Sequence, residues 1–144
     1  MYGRHRNHPD LHGNDDPISF GAHLLISDNS YHVVSCLDTT SPATIDGFTI
    51  TGGVGLTNAP AGACDTSVGG GLVVSNAALT IRNCTFAQNQ AGLGGGLYIG
   101  MSAEVAVESC TFVGNFSQTV GGAGLALCGS DGEITGSRFE GNQA

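Results

Sequence analysis

The chain has 144 residues, room for one ordinary domain, and 40% of them are hydrophobic, enough to bury a core. Twelve acids, four arginines and no lysine give a formal charge of −8, so the basic footprint of a nucleic-acid binder is missing. An anionic membrane surface is disfavoured for the same reason, and no apolar run approaches the ~20 residues of a transmembrane span.

Residues 1–28 read as an N-terminal arm or irregular leading segment. All five histidines fall within the first 32 residues, without a second ligand set at a defined spacing. Asp10, Asn14, Asp15 and Asp16 are the metal candidates, because calcium takes six to eight oxygens and one short loop offers several. The frame is not that of an EF-hand, and the same composition suits a solvated arm. Met1 leads into Tyr2-Gly3-Arg4-His5 rather than an apolar stretch, so no signal peptide is read there.

From residue 29 the chain repeats itself. Gly69-Gly70-Gly71-Leu72-Val73-Val74 returns as Gly94-Gly95-Gly96-Leu97-Tyr98-Ile99 and as Gly121-Gly122-Ala123-Gly124-Leu125-Ala126-Leu127. Each is followed by a second unit ending in Phe86, Phe112 or Phe139, with Asn89, Asn115 or Asn142 three positions on. A more divergent copy is Ile45-Asp46-Gly47-Phe48-Thr49-Ile50, and its longer offset places a ten-residue insertion at about residues 54–68.

A period near 26 with several short β-segments per repeat predicts an all-β solenoid, a right-handed parallel β-helix of three to four coils over residues 29–144. Period-two alternation turns Leu72, Val74, Leu97, Ile99, Leu125 and Leu127 inward, and Val73, Tyr98 and Ala126 outward. Equivalent positions then stack into ladders of Phe, Leu, Cys and Asn. The glycine clusters are read as tight corners where positive φ is cheap. Cys84 and Cys110 stack one coil apart on the inner face at a spacing that permits a disulfide, but continuation of their column as Ser137 favours buried free thiols. Whether Cys64 and Cys128 bond is left open.

The Phe-x-x-Asn and Gly-Gly-[GA]-[LIVY] elements resemble the repeats of polymorphic outer-membrane protein adhesins, within the wider set of pectin-lyase-like β-helix proteins. The stretches 29–34 and 45–53 also look like the first coils of large secreted bacterial β-helix proteins. This resemblance implies the fold, secretion or cell-surface display, and further β-helix coils in a longer parent chain. It leaves activity open, because one fold hosts lyases, hydrolases and adhesins.

The functional expectation is a non-catalytic structural or adhesive segment that presents an elongated face to a glycan or a surface protein. Asp46, Arg82 and Glu108 form an outward charge ladder, and Tyr98, the outward threonines and the inserted loop complete the expected contacts. No catalytic residue is assigned. The alternative is part of a carbohydrate-active lyase or hydrolase. Against it, the sequence shows no pair of carboxylates at matched positions on adjacent coils.

Overall fold

A computed structural model describes residues 31–55, 68–119 and 121–144. The expected arm with its four calcium candidates, and Cys64 of the inserted loop, lie outside these residues.

The described chain is built of short parallel strands. Coil 1 holds β1 (Val34–Leu37), β2 (Ala43–Asp46) and β3 (Thr49–Thr51). Coil 2 holds β4 (Leu72–Ser75), β5 (Ala78–Arg82), β6 (Thr85–Ala87) and β7 (Gln90–Ala91). Coil 3 repeats these as β8 (Leu97–Gly100), β9 (Glu104–Glu108), β10 (Thr111–Val113) and β11 (Phe116–Ser117). Coil 4 closes with β12 (Leu125–Cys128), β13 (Asp131–Thr135) and β14 (Arg138–Glu140).

Stacking the coils gives three four-stranded sheets, β1-β4-β8-β12, β2-β5-β9-β13 and β3-β6-β10-β14, with the pair β7-β11 as a fourth side. Every pairing is parallel, which is a parallel β-helix. Bridges fix the insertion. Val54 lies 36 residues before its partner Gln90, and Val68 lies 25 before Leu93, so eleven extra residues fall between them, one more than the repeats suggest.

The inner face carries the predicted columns. Leu72, Leu97, Val74, Ile99, Ile81, Val107, Phe86 and Phe112 are each fully buried. Phe86, Phe112 and Phe139 stack nearly parallel, with ring centroids 4.8 and 4.6 Å apart, matching the separation of neighbouring strands. Burying one such ring contributes about 1.5–3 kcal/mol before the entropy of ordering is counted. On coil 4 the columns open: Leu127, Ile134 and Phe139 are 44%, 38% and 47% exposed, because no described strand stacks beyond β12, β13 and β14.

The glycine triplets serve a purpose the sequence reading assigned too simply. Only the first residue of each of two triplets, Gly69 and Gly94, has positive φ. Gly71 and Gly96 are there for close approach: a Cβ would sit 2.4 Å from the carbonyl oxygens of Gly96 and Gly124 on the next coil. Many corners are turned instead by non-glycine residues with positive φ, including Asp38, Asn76 and Asn83, and Asp and Asn tolerate that region best.

Candidate functional site

The outer surface of the sheet β2-β5-β9-β13 brings the expected charge ladder together. Asp46 is in register with Arg82, and Arg82 with Glu108. All three side chains are exposed. The Arg82 Nε donates to Asp46 Oδ2 at 2.9 Å, and Asn83 Nδ2 donates to the other oxygen at 2.8 Å. These two bonds, from Asn83 and then Arg82, hold the Asp46 carboxyl below the usual carboxylate range. Asn83 escapes a search for charge patterns, since only its corner φ of 53° turns its amide onto the preceding coil.

Tyr98 is a correction. Period-two alternation turns it outward, yet its side chain is only 1% exposed. A second apolar cluster on the outside of the sheet β1-β4-β8-β12 joins Tyr98 to Val68, Val73 and Ala126, with Leu93 and Cys128 against it. The ring lies over Gly100, where any Cβ would fall 2.4 Å from a ring carbon. The alternation holds for direction, since Val73, Tyr98 and Ala126 share one column, but the cover over that outer face buries the ring, so Tyr98 is removed from the candidate contacts.

The carboxylate arrangement is a second correction. Glu104 and Asp131 are direct register partners on β9 and β13, so matched carboxylates do occur on adjacent coils. The signal is present in the sequence, since the same offset of 27 residues separates Phe112 from Phe139, and the reading of the repeats passed over it. Both line a shallow depression with Ser102 and Ser130, and a neighbouring one adds Glu133. Among the described residues no group of three or more His, Cys, Asp or Glu side chains is arranged to hold a metal ion.

Beneath the surface the polar groups are committed to structure. Asn89 and Asn115 are each 1% exposed and bridge coil to coil. The Asn115 Nδ2 donates to the Phe86 carbonyl at 2.9 Å, and Asn142 Nδ2 repeats the bond to Phe112 at 2.9 Å. Cys36, Cys84 and Cys110 are free, and Cys128 is disulfide-bonded.

These stacked coils define a class, the parallel β-helices. The family model for the right-handed β-helix region matches residues 24–144, and the chain belongs to that family. No curated protein and no solved structure matches it. Among the described residues no helix is long and apolar enough to cross a membrane.

Proposed function

We propose that this chain is a structural or adhesive β-helix segment, secreted or displayed at a cell surface, that presents an elongated face to a glycan or a protein. The observation that carries the reading is the closed interior. Rings, aliphatic side chains and amide ladders fill the coils, so ligand contact falls to outer columns repeated at one-strand spacing. The Asp46–Arg82–Glu108 ladder, the outward threonines and the loop between Val54 and Val68 are the proposed contacts. The disulfide at Cys128 supports an oxidising compartment, and the open columns of coil 4 suit further coils stacked upon it. Retention of glycans or surface proteins by the immobilised chain tests the reading. Retention reduced by Asp46→Ala with Arg82→Ala supports it, and an empty array overturns it.

A carbohydrate-active reading is favoured by one specific observation, the register-matched Glu104 and Asp131 over their depression. Two facing carboxyls are what glycoside hydrolysis employs. It predicts new reducing ends or an unsaturated, ultraviolet-absorbing product from acidic and neutral polysaccharides, lost in Glu104→Gln and Asp131→Asn. No product from either class of polysaccharide sinks it.

A further inference from the structure

Two of the free cysteines are placed as a pair. Cys84 and Cys110 are each 1% exposed and occupy the same corner of coils 2 and 3, immediately before β6 and β10. Their side chains take one orientation. Cys84 Sγ lies 3.2 Å from the Arg82 carbonyl and 3.8 Å from that of Ile45; Cys110 Sγ lies 3.3 Å from Glu108 and 3.6 Å from Ile81. The spacing of these two coils is given by Phe86 and Phe112, two residues further on, whose ring centroids are 4.8 Å apart. Like-oriented sulfurs on these coils are therefore separated by about one strand spacing.

That separation decides what the pair can bind. A disulfide needs sulfurs ~2.05 Å apart and Cβ atoms ~3.8 Å apart, which two parallel side chains held one strand spacing apart do not offer. Two metal–sulfur bonds of about 2.3 Å end to end span about 4.6 Å, close to the coil spacing. A cation content with two thiolates in line therefore fits between them. Zinc does not, since it takes four ligands and among the described residues no third His, Cys, Asp or Glu joins the pair. Soft cations with a preference for sulfur do. The surrounding core further selects charge: one divalent ion with two thiolates is neutral, and a neutral complex costs least among apolar side chains.

We infer that Cys84 and Cys110 form a two-thiolate site for a soft, linearly coordinated divalent cation, of which mercury(II) is the type. Binding replaces two S–H bonds with two metal–sulfur bonds and releases two protons, with no change in oxidation state. Entry is short, because the exposed corner residues Asn83 and Ser109 immediately precede the two cysteines.

The test is titration of the full chain with mercury(II) chloride against iodide as competing ligand, following sulfur-to-metal absorption and proton release. Cys36→Ser removes the third free thiol of the described residues and serves as the parent. The expected result is one ion and two protons per chain, with affinity at least a hundredfold lower in Cys84→Ser and in Cys110→Ser, and no displacement by zinc. Equal affinity in either variant, or half an ion per chain, overturns the site. Should a variant lose its β-sheet circular dichroism, peptide mapping of the loaded parent decides instead. Protection of both Cys84 and Cys110 from alkylation supports the site, and alkylation of either one, or a disulfide joining them after air oxidation, overturns it.

Discussion

The side-chain oxygen of Asn115 accepts two hydrogen bonds from Asn89, one from its backbone N–H at 3.0 Å and one from Nδ2 at 3.1 Å. Asn142 serves Asn115 in the same way, at 3.0 and 2.9 Å. The ladder gives the buried Asn89 and Asn115 N–H groups an acceptor at the corner that follows β6 and β10. Asn115→Ala strands the buried Asn89 N–H and removes a second bond to the Phe86 carbonyl, and its cost is expected at about 3 kcal/mol. Asn142→Ala, on the more open coil 4, costs clearly less. Urea unfolding of the two variants checks the order, and equal losses would refute it.

The aromatic column predicts a similar gradient. Phe112 is fully buried between two rings, whereas Phe139 has a ring on one side and is 47% exposed. Phe112→Ala should destabilise by about 3–5 kcal/mol. Phe139→Ala should lose under half of that. Thermal and denaturant midpoints measured side by side decide the matter.

Two glycines separate crowding from backbone conformation. At Gly96 a Cβ would lie 2.4 Å from the Gly124 oxygen, and a backbone carbonyl within a strand stack has nowhere to swing. Gly96→Ala is expected to cost about 3 kcal/mol through forced separation of coils 3 and 4. At Gly141 nothing lies within 4 Å, and only φ of +61° opposes a side chain. Gly141→Ala should therefore cost about 1–2 kcal/mol. Amide exchange adds a signature: Gly96→Ala should loosen protection of β8 and β12, and Gly141→Ala should leave both unchanged.

Acid should release the Asp46 contact. Its folded-state pKa is depressed by Asn83 and Arg82, so the stability it contributes is complete above the unfolded carboxyl pKa. That contribution is lost as pH falls through the folded value. Removing Asn83 or Arg82 should raise the Asp46 pKa toward the ordinary value, with the larger rise for Asn83→Ala. Carboxyl-carbon NMR titration reads this directly, and an unmoved Asp46 titration in both variants would refute the assignment.

Much of the architecture is legible in the sequence because a solenoid repeats its local rules. Phe86, Phe112 and Phe139, with Asn89, Asn115 and Asn142, announce their columns by spacing alone, and the structure stacks them in register. The candidate site is less legible. Asp46 and Arg82 meet as their spacing suggests, but Tyr98 is covered on the outer side of its sheet and Glu104 lies beside Asp131. The two differ in kind: the Glu104–Asp131 match follows the 27-residue offset that also separates Phe112 from Phe139, whereas the cover that Val68 and Leu93 lay over Tyr98 leaves no trace in the repeat.

By itself the sequence determined the period, the inward columns and the family of fold, since those follow from side-chain alternation and the repeat of one packing unit. Tertiary structure alone decided which of the outward residues stay exposed and which are covered. Register between coils depends on corner length and on backbone approach at glycines such as Gly71 and Gly96, where a carbonyl of the next coil occupies the space of a side chain. It also decided that Tyr98 is core, because burial depends on what covers a sheet and alternation reports only which side of it a residue takes.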